Sequence, residues 1–286
     1  MHPTALQAAS VEIGGRRFDY DAARPVSLAL PLDFHGGDPR WFGAPEARAE
    51  PLVAGGFSGR VASGASCNAS TLRLTPHCNG THTECVGHVV IEPLAARDVV
   101  PAGLLPALLL DVEPAAAGNE ASRPAPRAGD LLLTRAALHE AWPEPLLAGG
   151  TALPVAPRAL VLRTRAASAP AAGRGAGPGI DDMPPYLSLP AVQFLVERGI
   201  EHLVLELPSV DRLEDDGELA AHRAFFGLPP HGRALSGASR AHCTITELAH
   251  VPPTLHAGFG LLILQVPALG GDAVPSRPLW HAVLAP

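Results

Sequence analysis

This sequence has no lysine: every one of its 21 Lys+Arg positions is arginine. The arginines are scattered, and against 28 acidic residues they leave a net charge of −7 and a pI near 6.0. Without a basic patch, neither a nucleic acid nor an anionic membrane surface is an expected partner. Long apolar runs are missing too. The longest, "VVPAGLLPALLLDV", is too short and too rich in proline to span a bilayer. The opening "MHPTALQAASVEIGGRRF" has no cationic stretch followed by an apolar one, so it does not read as a signal peptide, and a cytoplasmic protein is expected. Cysteine is sparse: Cys67, Cys78, Cys85 and Cys243. So few, without a secretion signal, do not make a disulfide framework. No C-x-x-C is present, which argues against a dithiol redox site, and no G-x-S-x-G, which argues against a serine-hydrolase elbow.

What is abundant is proline and glycine, 31 and 29 of 286 residues. They cut the chain into short apolar runs: "VSLALPLDF", "LRLTPHC", "HVVIEPL", "LLPALLLDV", "GDLLLTRAAL", "RALVLRT", "HLVLELPSV" and "FGLLILQVPAL". Their length and their Val, Ile and Leu content predict strands. Helical spacing is rarer. It occurs in "LTRAALHEAWP", in "LPAVQFLVERGI" with Gly199 as its stop, and in "DDGELAAHRAFFGLP", ending before Gly227. Residues 115–129 and 166–185 are Ala/Gly/Pro-rich, lack periodicity and read as loops; the second is long enough to cover an active site. Without an internal repeat or a clean boundary, a single domain over residues 1–286 is expected. Its fold class is mixed α/β with more strand than helix.

Chemistry concentrates in "HCNGTHTECVGH", His77 to His88. If residues 78–88 are extended, alternation puts Cys78, His82, Glu84 and His88 on one face. A lone histidine on a strand is ordinarily a hydrogen-bonded core or surface group. Four potential ligands on one face within eleven residues point instead to a divalent transition metal or to direct catalytic use.

The stretch resembles the H-x-G-T-H-x-D-x-P-x-H signature of the cyclase-like metal-dependent hydrolases, a family that includes bacterial kynurenine formamidase. Gly80, Thr81, His82 and His88 match it; Cys78 stands at the first histidine and Glu84 at the aspartate. Further segments resemble the family in the same order. "VSLALPLDFHGGDPRWFG" places Trp41 or Phe42 near a substrate. "HLVLELPSVDRLEDDGELAAHRAFF" carries Ser209, Asp211 and His222. "CTITELAHV" carries Glu247, and "DAVPSRPLW" carries Ser276 and Arg277. The resemblance implies the family's swivelling β/β/α fold and a small-molecule substrate, an N-formyl arylamine such as N-formylkynurenine. The alternatives are a cyclic amide, an imide or a lactone, or a lapsed member that only binds a ligand. It also implies one or two divalent ions, zinc before manganese, held by Cys78, His82, Glu84, His222 and Glu247. His88 would be the proton shuttle, Trp41 and Phe42 would meet the substrate, and Asp211 would orient a histidine. His77 lies beside Cys78 and is a substitute for the missing first histidine if the chain bulges there. The family's last glutamate aligns with Thr246; Glu247, one position on, reaches the site if this segment is helical, whereas on a strand the one-residue shift would turn it away. A homo-oligomer is expected as well.

Overall fold

A computed structural model describes residues 7–38, 40–143, 153–164 and 183–284. Its centre is a nine-stranded sheet. In chain order the strands are β1 (Val26–Ser27), β2 (His82–Cys85), β3 (Leu105–Val112), β4 (Ala159–Thr164), β5 (His202–Leu205), β6 (Thr244–Glu247), β7 (Gly258–Gln265), β8 (Ala273–Pro275) and β9 (Arg277–Ala282). Across the sheet the order is β8-β2-β6-β5-β4-β3-β7-β9-β1. The four central strands β6, β5, β4 and β3 are parallel, and all outer pairings are antiparallel. The sheet curls. Ala29, just past edge strand β1, bridges Ala249, just past β6, and the His250 N–H donates to the Leu28 carbonyl at 2.8 Å.

The apolar runs form the central strands because both faces of a mostly parallel sheet are covered. Along β3, Leu108, Leu110 and Val112 enter one core while Leu105, Ala107 and Leu109 enter the other. That is the two-residue alternation of a strand buried on both sides. The first core lies under the helices: α3 (Arg135–Ala141) gives Leu138, α4 (Leu189–Glu197) gives Val192, Phe194 and Leu195, and α5 (Ala220–Phe225) gives Ala221 and Phe225. The second fills the curl with Leu28, Val161, Val204, Leu262, Leu264 and Trp280. Two further helices are single turns, α1 (Pro76–Asn79) and α2 (Ala96–Val99).

The three expected helices are present. Thr134 caps α3 by accepting from the Ala137 N–H, and Ser188 caps α4 by accepting from Ala191. Gly199, at φ +74°, stops α4 as a left-handed residue after the C-cap. Two expected strands are corrected. "HVVIEPL" begins on His88, the last residue of a 3₁₀ turn at Val86–His88, and continues as irregular chain, and its Ile91 is 78 % exposed. "VSLALPLDF" is a strand only at Val26–Ser27, because Pro31 cannot donate to a ladder. Of the two expected loops, 115–129 is irregular apart from Ala115–Ala116, and most of 166–185 lies outside the described residues.

Candidate metal centre

Residues 78–88 are not one extended segment. Pro76 starts the helical turn α1, the chain becomes β2 at His82, and a 3₁₀ turn follows at Val86. Only His82 and Glu84 share a face by strand alternation. The turns bring in His77 and His88 from either side: the His77 and His88 rings lie 4.4 Å apart, and His77 and His82 lie 5.5 Å apart. Gly87 permits this crowding, since a Cβ there would stand 2.3 Å from the Leu94 carbonyl oxygen.

Glu247 joins from the neighbouring strand, and this corrects the expectation that a strand would turn it away. In the β6–β2 register Glu247 sits opposite His82 and Thr246 opposite Thr83. Directly paired residues share a face. So Thr246 faces the other side and meets the Thr83 hydroxyl at 2.7 Å, while Glu247 Oε2 comes to 3.5 Å from His82 Nε2. Helix α5 supplies His222, whose Nε2 lies 2.9 Å from Glu84 Oε1 and 3.6 Å from Glu247 Oε1.

Two of the imidazoles, His82 and His222, are aimed by an oxygen at the far nitrogen. His82 Nδ1 meets the Gly80 carbonyl at 3.0 Å, and His222 Nδ1 meets Asp211 Oδ2 at 2.7 Å. This fixes the tautomer and turns the Nε2 lone pairs inward, the habit of metal-ligating histidines. Asp211 also accepts from the Ala221 and His222 N–H groups, at 2.7 and 3.1 Å, and so caps α5, which has no side-chain cap of its own. Glu247 Oε1 accepts from the Val210 N–H at 2.8 Å. Thr81 ties the surroundings together: its hydroxyl accepts from Leu30 N–H and donates to the Leu248 carbonyl.

Asp272, just before β8, has no counterpart in the sequence-based candidate list. Its Oδ2 lies 3.1 Å from His77 Nε2 and 3.3 Å from His88 Nδ1. The signal available was "GGDAVP", an acidic residue between a glycine pair and a strand, in a segment read for Ser276 and Arg277.

The centre is short of positive charge. Among the described residues, seven buried side-chain N or O atoms make no hydrogen bond; five of them are His77 Nε2, His82 Nε2, Glu84 Oε1, Glu84 Oε2 and His222 Nε2. An unsatisfied buried polar atom is costly, and five converging on one place mark a ligand. Burial works against charge on all these groups. Even so, the imidazoles hold the Glu84 carboxyl down to about 2, and the carboxylates hold His82 and His222 above the ordinary histidine value. Two sets of ligand atoms are close enough to share an ion: His82, Glu84 and Glu247; and His77, Glu84 and His88. Imidazole with carboxylate fits a zinc or manganese dication.

Cys78 belongs to neither set. Burial and then the Glu247 carboxylate push its thiol above the ordinary value, away from the thiolate that binds metal. Trp41 is buried beside it, and its backbone N–H donates to the Cys78 carbonyl at 3.0 Å; Phe42 is 55 % exposed at φ +55°. A cleft of about 420 Å³, lined by Gly87, Ile91, Leu94, Asp98 and Asp272 among others, adjoins the centre.

Several solved structures share this fold. Isatin hydrolase A from Ralstonia solanacearum aligns with a TM-score of 0.59 at 18% identity, over 91% of this chain and 92% of that one. Isatin hydrolase A from Labrenzia aggregata, bound to benzyl benzoate, gives 0.55 at 18%, over 91% and 94%. A structure titled a "potential metal-dependent hydrolase with cyclase activity" gives 0.57 at 14%, over 92% and 99%. These bear out the fold that the sequence resemblance implied. No curated protein matches the chain at the sequence level. Residues 26–212, more than half the chain, match the family described as "Putative cyclase", and the protein therefore belongs to the cyclase family.

Proposed function

We propose that this protein is a metal-dependent hydrolase of amide-type C–N bonds. The carrying observation is the set of five unpartnered N and O atoms from His77, His82, Glu84 and His222, enclosed by carboxylates. His82, Glu84, Glu247 and His222 would hold a zinc or manganese ion. Such an ion supplies Lewis-acid polarisation of a carbonyl and makes water a better nucleophile near neutral pH.

The chain's own residues supply the rest. Asp211 and the Gly80 carbonyl keep the Nε2 atoms of His222 and His82 directed at the ion position. His88 is the proton carrier, 26 % exposed and with Asp272 at its Nδ1. It takes a proton from the attacking water and returns it to the departing nitrogen. Water oxygen bonds to the carbonyl carbon, the C–N bond breaks, and an acid and an amine result. The cleft beside Gly87 and Ile91 receives the substrate, and its volume is that of a small-molecule site. Phe42, exposed on the loop anchored beside α1, is available to an aryl group.

The first substrate class is an N-formyl arylamine. A cyclic amide is the second, favoured by the isatin hydrolases among the structural matches. The test is turnover of N-formylkynurenine and of isatin by the zinc- and manganese-loaded protein. His88→Ala should lower turnover by about 10²-fold or more while the ion at His82 stays bound. Full activity in that variant would remove His88 from the mechanism, and inertness towards both substrate classes would overturn the amidase reading.

A further inference from the structure

Helix α5 serves two places. His222 reaches into the metal centre, while Ala220, Arg223 and Ala224, on the opposite side by helical spacing, line a separate cavity of about 200 Å³. None of the metal-centre residues lines this cavity. Ala220, Ala224 and Leu228 give it an apolar wall. Benzene fills a dry apolar cavity of about 150 Å³, so this one takes a body of roughly one ring. Its charge is unbalanced: Arg123, Arg223 and His231 line it against the single carboxylate of Glu218. Arg223 is only 8 % exposed. Its Nε donates to the Glu218 carbonyl at 3.0 Å and its Nη1 to the Gly232 carbonyl. Three of its five N–H donors therefore have no partner among the described residues. Among those residues, no carboxylate oxygen lies within 4.0 Å of the Arg123 or Arg223 guanidinium. The other buried guanidinium, that of Arg212, is held to Asp130 at 2.9 Å. A buried charge without a counter-charge is costly, and two neutral carbonyls do not neutralise one.

We propose that this cavity binds a small carboxylate with a ring-sized apolar body. The carboxylate meets the free N–H groups of Arg223, with exposed Arg123 adding charge, and the body lies against Ala220, Ala224 and Leu228. A guanidinium accepts a carboxylate through parallel N–H···O bonds, which suits this pairing. An inorganic anion would satisfy the charge but leave the apolar wall unused, and a cation would meet Arg223 as a like charge. The site needs no metal ion. One consequence rests on the reading of His222 as a ligand: a molecule packed on Arg223 and Ala224 braces the helix that carries His222, so occupancy and metal binding should be coupled.

The experiment is calorimetric titration with benzoate, benzamide and inorganic phosphate, on the protein as purified and after chelator treatment. Wild type, Arg223→Gln, Arg123→Ala, Ala224→Leu and His82→Ala are compared, and near-UV circular dichroism reports whether each is folded. Wild type should bind one benzoate with or without metal, and benzamide and phosphate about tenfold or more weakly. Arg223→Gln should weaken benzoate by about tenfold or more, and Arg123→Ala by about two- to fivefold. Ala224→Leu should abolish binding by filling the cavity, and it decides if Arg223→Gln does not fold. His82→Ala should bind benzoate as wild type does. Benzoate binding untouched by Arg223→Gln and Ala224→Leu, or lost in His82→Ala, would place the anion elsewhere and overturn the site. Benzamide or phosphate binding as tightly as benzoate, or no benzoate binding at millimolar concentration, would overturn it too. Saturating benzoate should also tighten zinc in wild type but not in Ala224→Leu. Equal zinc affinity changes in the two would overturn the coupling and leave the site standing. Protein that binds benzoate but no zinc would overturn the hydrolase reading alone.

Discussion

His82 and His202 are equally hidden, at 0 and 2 % exposure, and chemically they are opposites. His202 opens β5 at the amino edge of the parallel strands; His82 lies across from Glu247, at the carboxyl end of β6. Both have an oxygen on Nδ1, Thr244 Oγ1 at 2.9 Å and the Gly80 carbonyl at 3.0 Å. Burial disfavours the charged form of each. It prevails at His202, pushing the value down to about 4, whereas at His82 the neighbouring glutamates prevail and push it up. The difference lies in the nearest carboxylate. Glu201, 3.8 Å from His202, is already held by Arg158 through contacts of 2.9 and 2.6 Å. Glu84 and Glu247 have no arginine partner among the described residues, and the chain has no lysine to offer. At one edge of the sheet the carboxylate is paired with an arginine; at the other the carboxylates face imidazoles, in groups close enough to hold a metal ion. This is also the edge at which open α/β sheets bind ligands.

The sharpest break of this comparison is His82→Ala. It should abolish metal binding by the His82, Glu84 and Glu247 set and lower turnover by roughly 10³-fold or more, the several kcal/mol that an ion supplies. His202→Asn should leave metal content at the wild-type level. Equal metal loss in the two, by elemental analysis, would mean that the carboxylate environment does not set the contrast.

Asp211→Asn tests the orienting oxygen at a smaller scale. Losing the carboxylate at His222 Nδ1 should weaken metal binding by about 10- to 100-fold. It should also cost about 1 kcal/mol of stability, since the amide keeps only one of the two acceptor oxygens that meet the Ala221 and His222 N–H groups. Competition with a fluorescent chelator measures the first effect and urea unfolding the second.

At His202 the prediction concerns pH. The unfolded chain takes up this proton near 6.5, the folded chain only near 4. The unfolded state therefore binds more protons in between, and stability falls as pH drops below about 6.5, levelling off below about 4. By pH 5 the loss from this one group is about 2 kcal/mol. His202→Asn should remove that part of the pH dependence, as read from urea midpoints at pH 7 and pH 5. An unchanged slope would show that His202 is not held neutral.

The central strands and three helices were legible because their signals are local: apolar runs bounded by Pro or Gly, and capping residues such as Ser188. His82, Glu84, His88 and His222 were legible through one compact motif and one helix. Glu247 was named as a ligand through the resemblance, but its orientation on a strand was not legible, because it depends on the β6–β2 register, a partner 165 residues away in sequence. "HVVIEPL" misled because apolar content alone does not separate a strand from a covering turn. Asp272 was missed because nothing local distinguishes an aspartate after two glycines; only the pairing of β8 with β2 brings it to His77 and His88.

Cys78 gives the smallest effect. The motif places it where a ligand belongs, yet α1 turns at Pro76, and it is the His77 ring that stands 4.4 Å from His88 and 5.5 Å from His82. A thiolate is a strong zinc ligand, so a bound Cys78 would dominate affinity. The buried thiol instead sits beside the Glu247 carboxylate, whose charge opposes a thiolate. Cys78→Ser should therefore keep the wild-type metal stoichiometry, with affinity changed by no more than about threefold, and cobalt-loaded wild type should show no thiolate charge-transfer band. If cobalt gives that band in wild type and loses it in Cys78→Ser, the first ligand is the cysteine after all. The contrast between the two edges of the sheet would then rest partly on sulfur rather than on carboxylates alone.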